Sequence, residues 1–112
     1  MIIWHNPRCS KSRQTLALLQ ERGVDPVIVK YLECAPSADE ITQVLGKLGL
    51  EPRQIMRTGE KVYKETGLAG ISDAITLIAA MVENPILIER PIVIDGNKAV
   101  IGRPPEAVLS LF

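Results

Sequence analysis

MIIWHNPRCSKSRQTLALLQERGVDPVIVKYL, residues 1–32, is the stretch on which the fold turns. Ile2–Trp4 is a short β-prone run, and Asn6-Pro7 breaks it. A helix is expected from about residue 10 to residue 22, with Leu16 and Leu19 on one face and Gly23 as its stop. Residues 26–32, PVIVKYL, are β-branched and read as a second strand. Strand, helix and strand in that order form a βαβ unit, so the two strands are expected to run parallel.

Working outward, PSADEITQVLGKLG (36–49) begins with a capping box, Ser37 and Glu40. Ile41, Val44, Leu45 and Leu48 then recur at helical spacing, and Gly49 can close the helix. Residues 51–70 are less regular, with helical fragments and exposed charge. SDAITLIAAMVENP (72–85) predicts a helix with Ala74, Leu77, Ile78 and Met81 inward, Ser72 or Asp73 as its cap, and Pro85 beyond its end. PIVIDGNKAVIG (91–102) is two β runs around Asp95-Gly96-Asn97, a hairpin turn. RPPEAVLSLF (103–112) opens a last helix with prolines in its first turn. The sum is an α/β chain: βαβ, a helical insert at about 37–70, a helix, ββ and a helix. Without the insert this is a thioredoxin-like core, a four-stranded mixed sheet flanked by helices.

Composition agrees with one domain spanning 1–112. A chain of 112 residues, 46% hydrophobic, can bury a core without staples. Lys plus Arg is 13 and Asp plus Glu is 13, a balance that argues against nucleic-acid binding by phosphate neutralisation. The apolar runs are too short for a signal peptide or a bilayer span. The two cysteines, Cys9 and Cys34, are too few for a disulfide scaffold. The expectation is a soluble cytoplasmic protein, without membrane or nucleic-acid partners, that keeps a cysteine for reactivity.

Cys9 is that cysteine. The loop after the first strand of a βαβ unit lies at the carboxyl edge of the sheet, where open α/β sheets bind ligands. At the first turn of a helix, the dipole and the free backbone N–H groups favour a thiolate. Arg8, Lys11, Arg13 and His5 crowd the same segment, and Ser10 and Ser12 can add hydroxyl donors. A thiolate is a nucleophile at neutral pH, and the features that create it also hold an oxyanion beside it. The plainer alternative makes Cys9 a small core residue among solvated cations. Polar and charged neighbours on both sides count against burial. CSKS is a C-x-x-S pattern without a second thiol to resolve a mixed disulfide. The sixth position after Cys9 is Thr15 rather than arginine, so a cysteine-phosphatase loop is absent and oxyanion ligands must come from farther along. Arg57, Arg90 and Arg103 are the candidates, since a guanidinium offers a planar fork of donors. Arg90-Pro91 stands where thioredoxin-like folds place a cis-proline facing the cysteine.

HNPRCSKSRQTL (5–16), RQIMRTGE (53–60), NPILIERPIVI (84–94) and GRPPEAVL (102–109) occur together and in order. As a set they resemble the arsenate reductase family of the glutathione/glutaredoxin-coupled type, including its short arsenate reductase-like members. The resemblance runs from His5 to Leu109. It implies a cytoplasmic oxidoreductase of arsenic detoxification, with no tightly bound cofactor. Arsenate or a similar oxyanion would be substrate, glutathione co-substrate and glutaredoxin a partner. It further implies that Cys9 attacks arsenate and that Arg57, Arg90 and Arg103 hold the oxyanion. His5 is then associated with the low pKa of the thiol, and Ser12 supplies a hydroxyl that hydrogen-bonds it. A glutaredoxin-like oxidoreductase acting on glutathione mixed disulfides is an alternative, although it has no need of three arginines. A non-enzymatic Spx-like regulator is another, although such proteins typically carry C-x-x-C. Cys34 falls at the same sheet edge as Cys9. A resolving role is geometrically conceivable there, but a small residue at a helix approach is the favoured reading.

Overall fold

The computed structural model describes all 112 residues. The chain divides into two compact units, Met1–Cys34 with Arg90–Phe112 and Ala35–Glu89. No helix is long and apolar enough to cross a membrane.

The first unit carries the sheet. β1 (Ile2–Trp4), α1 (Ser10–Glu21) and β2 (Val27–Val29) are followed, after residue 89, by β3 (Ile92–Asp95), β4 (Lys98–Ile101) and a 3-10 helix, Pro105–Leu111. The strand order is β2-β1-β3-β4. β1 and β2 are parallel with Ile3 beside Ile28, whereas β3 is antiparallel to both β1 and β4. The mixed four-stranded sheet is therefore the one expected. Ile3, Leu19, Val93 and Val108 are fully buried at its core, with Met1, Leu16, Leu18, Val24, Val100 and Leu111 around them.

Three local features depart from expectation. The inward row of α1 is Ser12, Thr15 and Leu19, and Leu16 is only half-buried. Two polar residues take that face because each has partners: Thr15 Oγ1 donates to the Lys11 carbonyl at 2.8 Å. β2 stops at Val29, because the chain then curls back through Glu33 N–H and Cys34 N–H to the Lys30 carbonyl at 3.0 and 2.9 Å. The last helix is 3-10 rather than α, its first bond running from Ala107 N–H to the Pro104 carbonyl at 3.0 Å. In the hairpin, Asp95 pairs with Lys98 and Gly96 has φ +58°, a positive angle at the first central position.

The second unit holds α2 (Ala38–Leu48), α3 (Lys61–Glu65) and α4 (Ala74–Glu83), joined by 3-10 turns at Pro52–Ile55, Leu68–Gly70 and Pro85–Leu87. The Ser37/Glu40 capping box closes reciprocally at 3.1 and 3.0 Å, and Gly49 ends α2 with φ +68°. Ile41, Val44 and Leu45 are buried on α2, and Leu77 and Met81 on α4; Ala74, expected inward, is exposed. Asp73, not Ser72, caps α4 by accepting from the Thr76 N–H at 3.1 Å. Arg53 stitches the irregular middle, donating to the Leu68 carbonyl at 3.1 Å and also to Tyr63 Oη and the Ile71 carbonyl. α4 falls in this unit, where it packs on α2 and on the 3-10 turns at Pro52–Ile55 and Pro85–Leu87.

Candidate active site

β1 delivers the chain to the carboxyl edge of the sheet, where His5 N–H donates to the Val29 carbonyl at 2.8 Å. A tight turn follows. Cys9 N–H donates to the Asn6 carbonyl at 3.0 Å, and the Asn6 side chain accepts from Arg8 N–H at 3.0 Å. Cys9 therefore arrives as the N-cap of α1, with extended φ −92° and ψ 122°. Its carbonyl accepts the first helical bond, from Arg13 N–H at 3.0 Å. Its side chain is partly exposed, and both cysteines are free thiols.

Two arginines reach the sulfur from the other end of the sequence. Antiparallel pairing sets Ile92 beside Trp4 and beside Ile101, so the residues before β3 and after β4 share the edge where β1 ends. Arg90 precedes β3 through a cis bond to Pro91, and Arg103 precedes Pro104 through a second cis bond. The Arg90 guanidinium stands beside Cys9, close enough for its charge to lower the pKa of the thiol. Arg103 Nη1 lies 3.8 Å from Cys9 Sγ and donates to the Arg90 carbonyl at 3.3 Å. Gly102 makes this closeness possible: its N–H donates to the Pro91 carbonyl at 2.9 Å, and a Cβ there would stand 2.5 Å from Thr15 Oγ1.

These neighbours decide the state of the thiol. Burial pushes the Cys9 pKa up from 9.0, but the Ser12 amide, the charge and hydrogen bond of Arg90, and the Lys11 amide together outweigh it. The pKa is lowered, favouring thiolate. The amide dipoles act on the sulfur without closing a geometric capping bond.

Residues expected at the site are arranged differently from one another. His5 is buried, and Nδ1 lies 2.7 Å from Ser12 Oγ. The same Oγ accepts from Asn6 N–H at 3.1 Å, so its own proton is best directed at Nδ1, leaving the imidazole proton on Nε2. Burial, with the charges of Lys30 and Arg13, lowers the His5 pKa and keeps the ring neutral. His5 thus brings no positive charge to Cys9. Ser12 acts on the sulfur through its backbone N–H, its hydroxyl being committed to His5 and Asn6. Arg57 lies in the second unit, where it is ion-paired with Glu60 at 3.2 Å. Arg8, Lys11 and Arg13 are exposed, and Arg13 Nη1 donates to the Pro7 carbonyl at 2.9 Å. Sequence reasoning took Asn6-Pro7 only as a strand break; the ordering role of Asn6 in the turn comes from the structure.

Comparison with known proteins supplies the lineage. The ArsC family profile matches residues 4–111. A Haemophilus influenzae protein named arsenate reductase is 49% identical over 114 residues, covering 100% of this chain and 98% of its own. The Escherichia coli protein YfgD, which has no assigned activity, is 53% identical, over 97% of this chain and 93% of its own. Among solved structures, an arsenate reductase from Vibrio cholerae superposes with a TM-score of 0.96 at 50% identity, covering 99% and 96% of the two chains. With a family match over nearly its whole length and relatives at about half identity, the chain belongs to the ArsC family.

Proposed function

We propose that this protein is a cytoplasmic arsenate reductase that converts arsenate to arsenite with electrons from glutathione and glutaredoxin. One observation carries the reading: the sulfur of Cys9, its pKa lowered, sits at the start of α1 with Arg90 and Arg103 beside it. A thiolate repels an anion unless cations stand between them, and two guanidiniums supply that need. The names of the relatives support arsenate as the anion.

The Cys9 sulfur forms a bond to arsenic(V) as one arsenate oxygen leaves as water. The glutathione thiol then condenses with the same arsenic, releasing further oxygen as water. The glutaredoxin thiolate attacks the glutathione sulfur, forming a mixed disulfide and leaving the electron pair on arsenic, now arsenic(III). Water cleaves the remaining S–As bond, freeing arsenite and the Cys9 thiol. Two thiols are oxidised to one disulfide, and arsenic gains two electrons. In this reading Arg90 and Arg103 hold the oxyanion. His5 and Ser12 position the turn and the amide that faces the sulfur.

The test is NADPH oxidation coupled through glutathione reductase, glutathione and glutaredoxin, with and without arsenate, beside a thioredoxin-coupled arm. Arsenate-dependent oxidation that Cys9→Ser abolishes is expected in the glutaredoxin arm. Oxidation only with a small disulfide in place of arsenate would make the protein a disulfide reductase. Turnover in the thioredoxin arm alone would replace the reductant.

A further inference from the structure

A cavity of about 300 Å³ adjoins the turn that presents Cys9. That size is at the small end of ligand sites. His5, Asn6, Pro7, Arg8, Lys30, Leu32 and Glu33 line it, all at the carboxyl ends of the parallel strands β1 and β2. The wall is not uniformly basic. Arg8 and Lys30 contribute two cations, Glu33 one carboxylate, Pro7 and Leu32 apolar surface, and His5 is held neutral. A bare tetrahedral oxyanion would be repelled by Glu33 and has no use for Leu32. A zwitterionic peptide with two carboxylates, one ammonium and a short aliphatic body matches the wall group for group.

We propose that this cavity docks the γ-glutamyl tripeptide thiol, its carboxylates toward Lys30 and Arg8 and its ammonium toward Glu33, so that its sulfur meets Cys9 across the Asn6–Cys9 turn. The inference rests on the reductant named in the proposed function and gives that co-substrate a place. It explains why the charged residues nearest Cys9 in sequence do not all serve the thiolate: Arg8 serves the peptide. The turn fixes the geometry, since the Asn6 carbonyl holds Cys9 N–H at 3.0 Å and the Asn6 side chain holds Arg8 N–H at 3.0 Å.

The test needs no arsenate. Cys9 thiolate reacts with oxidised glutathione to give the protein–glutathione mixed disulfide and one glutathione thiolate, a step followed by mass spectrometry. The same thiolate reacts with hydroxyethyl disulfide, which has no charges to dock. The ratio of the two rates cancels any change in the thiol itself. In the wild type the ratio is expected to exceed 1 by roughly tenfold or more, and Lys30→Gln is expected to reduce it about tenfold. Glu33→Gln should reduce it by a smaller factor. Oxidised glutathione with esterified carboxylates should lose the advantage on the wild-type protein, an arm independent of how the variants fold. A wild-type ratio near 1, or a ratio that neither substitution nor esterification alters, overturns the docking site. Arsenate-dependent turnover in the coupled assay then decides the proposed function separately.

Discussion

Cys9 is governed by opposing effects at a single atom. Loss of hydration raises its pKa, while one guanidinium and two backbone amides lower it, and the lowering side wins. Arg90 lowers the pKa through its charge and a hydrogen bond, whereas Arg103, with Nη1 3.8 Å from the sulfur, is not among the groups that lower it. The two are therefore unequal. A charge-assisted hydrogen bond is worth about 1.5–3 kcal/mol, and the partial exposure of Cys9 places this one toward the low end. Arg90→Met is expected to slow iodoacetamide alkylation of Cys9 about tenfold at pH 7 and to move the alkylation midpoint upward. Arg103→Met should move it in the same direction by clearly less. Alkylation rates measured from pH 5 to pH 10 check both, and a larger effect at Arg103 would reverse the ranking.

At the scale of elements, local chemistry was legible and distant chemistry was not. The capping box of α2 could be read because Ser37 and Glu40 lie one turn apart and both bonds form within that turn. Ser37→Ala is expected to destabilise the protein by about 1 kcal/mol and Ser37→Gly by only a few tenths, since glycine is itself an acceptable N-cap. Urea denaturation checks this, and equal losses would mean that the serine hydroxyl does not cap. The hairpin was legible for the same reason, its signal lying in Asp95-Gly96-Asn97. The inward face of α1 was read only in part: Leu16 and Leu19 both meet the core, but Ser12 and Thr15 are buried through partners that apolar spacing cannot see. Arg90 and Arg103 reach Cys9 through strand pairings more than 80 residues apart in sequence; residue chemistry could nominate them as candidates, but no local pattern could show that they meet the sulfur. The cations that sequence proximity favoured are exposed instead: Lys11 and Arg13 lie on the outer face of α1, and Arg8 on the turn before it. The order of elements sets helix α4 after the insert, yet it packs on α2, because no pattern states which partner an apolar face will find.

For the whole molecule, the perturbed groups all tilt stability in one direction with pH. The native state holds the proton of Cys9 less tightly than a free thiol at 9.0, that of His5 less tightly than an ordinary imidazole at 6.5, and that of Asp73 less tightly than a carboxyl at 3.8. In each case the unfolded chain binds more protons inside the window, so acid favours unfolding. Each contribution is complete above the unfolded value and is lost as pH falls through the depressed native value. The windows differ, and that makes His5 separable: its window opens at the ordinary imidazole value of 6.5 and extends downward, above the range of ordinary carboxylates. Its contribution comes from a buried ring that must stay neutral beside Lys30 and Arg13. Urea midpoints of the wild type are expected to fall from pH 7 to pH 5. His5→Asn, which keeps a polar group for the Ser12 hydroxyl, should be less stable at pH 7 but flatter across the same interval. Parallel slopes for the two proteins would locate the acid sensitivity elsewhere and would leave the neutral imidazole without thermodynamic consequence.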